Sequence, residues 1–205
     1  MQVIGITGRI GSGKSTLCKI LAGRHRCAVI DADSLGHKAL LSDSGIREAV
    51  VSRFGSQILD GSGTIDRARL ARVVFADSAA LNDLNRIVHP WIVEEIQKQL
   101  AALRAGGHVG IVLVDAALLL DWRDRLTCDR TVLVRCPDDT LIRRLRMRGM
   151  TKDEARSRLG RQVGEQELRE QVDLVVDNSG SRRDLEHEAT RLWEALNRAE
   201  EERSS

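Results

Sequence analysis

Aromatic residues are scarce in this 205-residue sequence, which has no tyrosine and only two phenylalanines, so few side chains could stack against nucleic-acid bases. Its formal net charge is only +2, and acidic and basic residues are interspersed, which also disfavours a polyanion-binding protein. No run approaches about 18 uninterrupted apolar residues, and no basic and then apolar leader follows Met1. We therefore expect a soluble, cytoplasmic protein with neither nucleic acid nor a membrane as a partner.

Metal-binding and hydrolase signatures are also missing. The four cysteines form no Cys-x-x-Cys pair and have no histidine at zinc-ligand spacing, so neither a structural zinc site nor a disulfide framework is predicted. The five histidines include no His-Glu-x-x-His, and no Gly-x-Ser-x-Gly occurs, which leaves metalloproteases and serine hydrolases without support. The lack of internal repeats and of linker-like segments predicts a single domain over residues 1–205.

The most informative stretch lies near the N-terminus and matches the pattern Gly-x-x-x-x-Gly-Lys-[Ser/Thr] at Gly8, Gly13, Lys14 and Ser15. Glycines let successive backbone N–H groups turn inward around phosphate oxygens, while the lysine reaches the terminal phosphates and the hydroxyl binds Mg²⁺. An apolar strand before the loop and an amphipathic helix after it add the positive end of a helix dipole. These features predict a nucleoside triphosphate site; the alternative is a glycine-rich turn that happens to precede a helix.

Two aspartates follow the next predicted strand, at residues 27–30. Strand, helix and strand in succession predict a parallel sheet, in which functional residues lie at the carboxyl ends of the strands. Asp31 and Asp33 are therefore expected at the same edge of the sheet as the phosphate loop. In an extended segment both carboxylates would point the same way, whereas the alternative makes them turn or N-cap residues before a helix.

The middle of the chain, residues 40–105, shows no convincing strand pattern. Helices are predicted at residues 46–54, 67–75, 79–88 and from Pro90 onward. Ser78 is expected to cap the third of these helices, and Pro90 to occupy the first turn of the fourth, where a proline is tolerated. The simplest interpretation is a helical insertion, residues 36–105, that binds the second substrate.

Three further apolar strands are predicted at residues 109–114, 131–134 and 172–176. Together with the first two they indicate an α/β fold, a P-loop three-layer sandwich with a parallel five-stranded sheet. The sheet core would comprise residues 1–35, 106–142 and 170–200. Asp115 follows the first of these three strands, and two roles stay open for it: holding the Mg²⁺ shell through water, or capping the next turn.

A basic tract at residues 143–169 follows the fourth strand. Gly149 and the capping box formed by Thr151 and Glu154 divide it into two helices. A helical hairpin with arginines at this place has the form of a closing lid, and its guanidinium groups can neutralise a transferring phosphoryl group. We therefore expect Arg144 and Arg148 to act in the lid, the alternative being a solvated charged face.

Several linked motifs extend this interpretation over most of the chain. In order they are Ile6-Thr7-Gly8 through Ser15, Asp31-Ala32-Asp33, Leu84-Asn85 with His89-Pro90, Leu118-Leu119-Leu120 with Asp121, Arg144 with Arg148, Arg158 with Gln162, and Asp173 through Gly180. In this order they resemble the dephospho-coenzyme A kinase family, within the P-loop nucleoside-monophosphate-kinase-like group. The resemblance runs from about residue 3 to residue 196.

The resemblance implies a reaction: transfer of the γ-phosphoryl group of ATP to the ribose 3′-hydroxyl of dephospho-coenzyme A, with Mg²⁺, as the final step of coenzyme A biosynthesis. It implies that the nucleotide is bound by Gly8, Gly11, Ser12, Gly13, Lys14, Ser15 and Thr16, with Asn178 near the adenine. Ser15 would be the metal ligand. Asp33 would orient or deprotonate the acceptor hydroxyl, and Lys14, Arg144 and Arg148 would complete the catalytic set.

Acceptor-side positions also follow from the resemblance. The implied residues are Thr7, Asp31, Asp33, His89 and Leu118. The partners would be small molecules only, and a monomer is expected, with an oligomer left open. Rival functions are another small-molecule kinase, for a nucleoside, shikimate or gluconate-like acceptor, and a nucleotide-dependent switch or nucleic-acid-binding module motivated by the basic tract.

Four residues depart from the family pattern. Arg9 stands where glycine is usual and should make the tip of the loop bulkier. Ala117 replaces a proline, which frees φ after the third strand, and Asp121 replaces a longer glutamate. His37 stands where the family commonly has arginine, and a neutral imidazole does not reproduce a guanidinium clamp on phosphate.

Overall fold

The computed structural model describes residues 1–122 and 124–204, except for the side chains of residue 78 and residues 199–204. Its strands are β1 (Gln2–Thr7), β2 (Ala28–Asp31), β3 (Ile111–Asp115), β4 (Arg130–Arg135) and β5 (Leu174–Asp177). The α-helices of the described residues are α1 (Lys14–Arg24), α2 (Ala32–Ser42), α3 (Ser44–Phe54), α4 (Arg67–Val74), α5 (Ser78–Ala105), α6 (Asp138–Met147), α7 (Lys152–Gly160), α8 (Glu165–Arg169) and α9 (Arg182–Ser204). Short 3₁₀ turns occupy Ser56–Ile58 and Leu119–Trp122.

The strands form one five-stranded parallel sheet in the order β2-β3-β1-β4-β5. Strand β1, which leads into the glycine-rich loop, is therefore the central strand. All six of its residues are buried, which explains why residues 3–6 form a continuous apolar run rather than an alternating pattern. The α/β fold with a parallel five-stranded sheet is confirmed.

Contacts between residues divide the chain into two compact units. The first comprises Met1–Ile30 and the residues from Gly106 onward, and includes the sheet. One face of the sheet packs against α1 and α9 through buried side chains that include Ile4, Ile6, Leu17, Leu21, Leu185, Leu192 and Leu196. A second apolar cluster joins α6 and α7, with Leu141, Leu145, Ala155 and Leu159 buried. The basic segment thus has an apolar inner face, and the predicted capping box of Thr151 and Glu154 begins α7.

The second unit, Asp31–Ala105, contains helices α2 to α5. Helix α5 packs against the other three, with Val88, Ile92, Val93, Ile96 and Leu100 buried along it. The indole N–H of Trp91 on α5 donates to Asp43, which also caps α3 through the backbone N–H of Ile46, both at 2.9 Å. Within the described residues, α5 and the other helices are too short or too polar to cross a membrane.

The predicted break at Pro90 was wrong, because α5 is one helix of 28 residues with Pro90 in its interior. A proline there removes one backbone hydrogen bond at a cost of about 3 kcal/mol. The buried apolar stripe continues on both sides of it, and this packing outweighs the local cost. The cap was also misplaced: Asp77 accepts from the backbone N–H of Ala79 at 2.9 Å, while Ser78 is the first helical residue and its side chain lies outside the described part.

Candidate active site

The loop between β1 and α1 has the backbone geometry that its glycines predict. Gly8, Gly11 and Gly13 have φ angles of +146°, +81° and +101°, a region that favours glycine. A Cβ atom on Gly8 would lie 2.4 Å from the backbone oxygen of Val134, and one on Gly13 would lie 2.1 Å from Nδ2 of Asn178. The loop therefore needs glycine for both its conformation and its close contacts.

Polar groups of the loop fit a phosphate ligand. Lys14 is buried and its ammonium donates to the backbone oxygen of Gly8 at 2.9 Å, which holds it across the loop. Within the described residues the buried hydroxyl oxygen of Ser12 has no hydrogen-bond partner, and the first turn of α1 contains no acidic residue. A triphosphate would thus meet N–H donors, an ammonium and the positive end of the helix dipole.

A magnesium ion would have to be held without a carboxylate cage. No group of three or more histidine, cysteine, aspartate or glutamate side chains within the described residues could hold a metal ion. The side chain of Ser15 is exposed at the start of α1, and Thr16 beside it is partly buried. Since Mg²⁺ usually keeps several waters and takes few protein ligands besides substrate phosphates, the Ser15 hydroxyl fits this role.

The side chains of Asn178 and Arg144 hydrogen-bond to the backbone of the phosphate loop. Asn178, buried after β5, donates through Nδ2 to the backbone oxygen of Ser12 at 2.6 Å. Arg144 on α6 donates to the backbone oxygen of Asn178 at 2.9 Å, and more weakly to those of Gly11 and Ser12 at 3.4 and 3.3 Å. Arg148 follows the end of α6 and is exposed. The predicted pair thus divides: Arg144 contacts the loop, and Arg148 faces solvent.

Thr7, the last residue of β1, lies beside the segment that follows β3. Thr7 is fully buried and its hydroxyl donates to the backbone oxygen of Ala117 at 3.2 Å. Asp115 is the last residue of β3 and is buried, rather than following the strand as predicted. Leu118 is half-buried, and its backbone oxygen accepts from the N–H of Asp121 in the following 3₁₀ turn. The hydroxyl bond fixes Thr7 to the segment where the family proline is absent.

The expectation that one extended segment holds both aspartates was wrong for Asp33, because helix α2 begins at Ala32, whereas Asp31 is the last residue of β2 and has an extended backbone. Asp31 is the N-cap: its carboxylate accepts from the backbone N–H of Ser34 at 3.1 Å and from the Ser34 hydroxyl at 2.8 Å. The capping alternative is therefore right for Asp31. Asp33 lies in the first turn of α2 with an exposed side chain.

His37 lies four residues after Asp33, on the same face of α2. The guanidinium of Arg67, the first residue of α4, donates to Nε2 of His37. Burial lowers the pKa of His37, and Arg67 lowers it further, against the opposing effect of Asp33 and Asp31. A neutral imidazole can accept this hydrogen bond. Arg67 therefore places a guanidinium beside position 37, where the family commonly has an arginine and this chain has a histidine.

Sequence reasoning missed Arg67, which it treated only as the start of a helix. The one available signal was the missing arginine at position 37, which could have prompted a search for a substitute. His89, which the resemblance placed on the acceptor side, is half-buried on α5. Sequence reasoning also did not recognise that Arg9 and Gln162 attach the phosphate loop to α6 and to the end of α7.

Comparison with known proteins agrees with these features. The family model for dephospho-CoA kinase matches residues 2–184. A dephospho-CoA kinase of Thermobifida fusca is 36% identical over 199 residues, which is 97% of this chain and 98% of that protein. A crystal structure of a Thermus thermophilus protein has a TM-score of 0.76 at 32% identity, covering 95% of this chain and 97% of its own. Dephospho-CoA kinase from Campylobacter jejuni, at 22% identity, shares the fold with a TM-score of 0.61 over 95% of this chain and 97% of its own. The matches cover nearly the whole chain, and a phosphate loop that requires glycines follows its central strand, so this chain belongs to the dephospho-CoA kinase family.

Proposed function

We propose that this protein transfers the γ-phosphoryl group of ATP to the ribose 3′-hydroxyl of dephospho-coenzyme A, in the cytoplasm and as the final step of coenzyme A biosynthesis. The observation that carries the proposal is the loop from Gly8 to Ser15, whose positive-φ glycines and bound lysine suit a triphosphate. The family relationship adds the identity of the acceptor. The products are ADP, coenzyme A and one proton.

The nucleotide side of the reaction is assigned to the loop. Backbone N–H groups of residues 11–16 bind the phosphate oxygens, and the Lys14 ammonium attracts the negative charge that moves onto the β-phosphate as the bond to the γ-phosphorus breaks. Ser15 would be a protein ligand of Mg²⁺, and the ion would supply positive charge beside the phosphates. Asn178 lies against the loop and contributes to the adenine site.

The residues assigned to the acceptor are Thr7, Asp31, Asp33, His89 and Leu118. Asp33 accepts the proton of the 3′-hydroxyl or orients that hydroxyl for attack. The guanidinium of Arg67 at His37 offers a positive charge and N–H donors for an anionic group of the acceptor. Asp31 supports Asp33 by capping α2, and His89 lines the acceptor region.

The domain organisation follows from these assignments. Residues 1–35, 106–142 and 170–200 form the nucleotide-binding core, residues 36–105 form the acceptor-binding insertion, and residues 143–169 form a lid. Arg148 is assigned to the transferring phosphoryl group. We further propose that the enzyme acts as a monomer on small molecules, with neither nucleic acid nor a membrane as a partner.

An assay of ADP release with a panel of acceptors tests the proposed function. With ATP and Mg²⁺, dephospho-coenzyme A should be phosphorylated far faster than adenosine, shikimate or gluconate. A faster reaction with one of the other acceptors would assign the chain to a different small-molecule kinase. Steeply salt-dependent binding to a polyanion with no turnover of any acceptor would favour a nucleic-acid-binding module.

Arg144 gives a separate prediction for ATP binding. Arg144→Ala is expected to raise the KM for ATP roughly tenfold, because the loop loses the charged donor to its own backbone oxygens and Asn178, which holds Ser12, loses the same donor. Steady-state kinetics at saturating dephospho-coenzyme A measure the change. Arg146→Ala, on an exposed position of the same helix, is the matched control. A fall in kcat with an unchanged KM would instead place Arg144 in direct contact with the transferring group.

A further inference from the structure

We propose that Arg9 is a positioning residue for ATP: it holds the tip of the phosphate loop against helices α6 and α7, and thereby keeps the loop N–H groups in the geometry that binds the triphosphate. The inference rests on the proposed function only in taking ATP as the ligand of the loop. Position 9 is a variable place in the loop pattern, so the motif itself does not demand an arginine there.

The side chain of Arg9 makes two polar contacts with separate elements. One terminal nitrogen, Nη1, forms an ion pair with Oδ1 of Asp138 at the start of α6, at 2.5 Å. The other, Nη2, donates to the backbone oxygen of Leu159 in the last turn of α7, at 3.0 Å. A carbonyl there lies at the negative end of the helix dipole, which favours a cation.

The contacts of Arg9 are important for stability because its side chain is buried. The Arg9 side chain is only 11% exposed, and its Nε is buried without a hydrogen-bond partner within the described residues. A guanidinium taken from water loses its hydration and depends on the bonds that its remaining N–H groups make. Asp138, by contrast, is 62% exposed, so the arginine is the more constrained member of the pair.

The next residue strengthens the attachment. The backbone N–H of Ile10 donates to the side-chain oxygen of Gln162 at 2.9 Å, and the Ile10 side chain packs on the apolar cluster that joins α6 and α7. The backbone oxygen of Arg9 also accepts from the N–H of Ser12 at 3.1 Å, inside the loop itself. Arg9 therefore links the turn of the loop with two helices far along the chain.

The loop needs such an attachment because glycines at three positions give it many accessible backbone conformations. A loop held in one conformation before the ligand arrives loses less conformational entropy on binding. The planar guanidinium has two terminal nitrogens and can therefore bind Asp138 and the Leu159 carbonyl at the same time. Lysine has only one nitrogen and cannot reproduce both contacts in this geometry. Arg9 is thus expected to act on the affinity for ATP rather than on the chemical step.

The test combines ATP titration of the whole protein with steady-state kinetics. Arg9→Ala should raise both the dissociation constant and the KM for ATP roughly tenfold, while kcat at saturating ATP changes less than about threefold. Arg9→Lys should be intermediate. Asp138→Ala should weaken ATP binding in the parent protein but add little in the Arg9→Ala background. Asp139→Ala, at the next position of α6, is the control and should behave as the parent.

Hydrogen exchange supplies a readout that is independent of activity. In Arg9→Ala, backbone exchange should accelerate in residues 9–13 while the sheet strands keep their protection. If Arg9→Ala does not fold, Arg9→Lys carries the same measurements. Unchanged ATP affinity in a folded Arg9 variant, or a loss confined to kcat, would overturn the inference. A parent protein that binds no ATP would remove the proposed function as well.

Discussion

Asp33→Asn is expected to leave ATP binding largely intact and to lower kcat by roughly 10²- to 10⁴-fold, the range typical of a lost general base. An amide cannot take the proton of the acceptor hydroxyl, although it has nearly the same size and shape. The substitution should not disturb α2, because Asp33 is exposed in its first turn and Asp31 makes the cap. Single-turnover and steady-state assays with dephospho-coenzyme A measure the loss, and ATP titration measures the retained affinity.

Asp139→Asn is the matched control for this substitution. Asp139 is the second residue of α6, as Asp33 is the second residue of α2, and both side chains are exposed. The two variants lose the same charge at the same position relative to a helix dipole, a change of about 0.3–1 kcal/mol at most. A large loss of turnover in both, or in neither, would count against Asp33 as the group that acts on the acceptor.

The features that the sequence predicted well are those with local causes. The glycines at positions 8, 11 and 13 are required by their positive φ angles, and at positions 8 and 13 neighbouring atoms also leave no room for a Cβ, so the motif specifies the loop. The capping box at Thr151 and Glu154 needs only residues three apart, and it divides the basic tract where predicted. Buried parallel strands can also be recognised in the sequence, because they appear as short apolar runs.

The features that were missed depend on partners distant in sequence. Pro90 is tolerated inside α5 because of apolar packing on either side, which no local propensity reports. Arg9 reaches Leu159, 150 residues away, and Arg67 reaches His37 across 30 residues. Arginines that bind across such separations look the same in a sequence as arginines on a solvated surface. The capping role of Asp31 could be recognised from the sequence. A continued extended segment was also compatible with the sequence, because Asp31 is the last residue of the short strand β2.

Lys14→Met is expected to lower kcat by roughly 10²- to 10³-fold, because the ammonium is the one side-chain cation that the loop motif directs at the terminal phosphates. Methionine keeps much of the buried aliphatic volume, so the loss should report the missing charge and its donors. It also leaves the backbone oxygen of Gly8 without the 2.9 Å bond that it now accepts, which should weaken ATP binding in addition.

Lys19→Met separates this effect from a general loss of positive charge. Lys19 lies on the same helix, α1, but is exposed, so its replacement should leave both kcat and the affinity for ATP unchanged. Thermal unfolding of both variants identifies any loss of folded protein. Because Lys14 would act on charge that develops in the transition state, its removal must reduce kcat beyond any change in KM. A Lys14→Met enzyme whose kcat returns to the parent value at saturating ATP would show that the lysine only binds nucleotide, and electrostatic stabilisation of the transferring group would then have to come from Arg148 or from Mg²⁺.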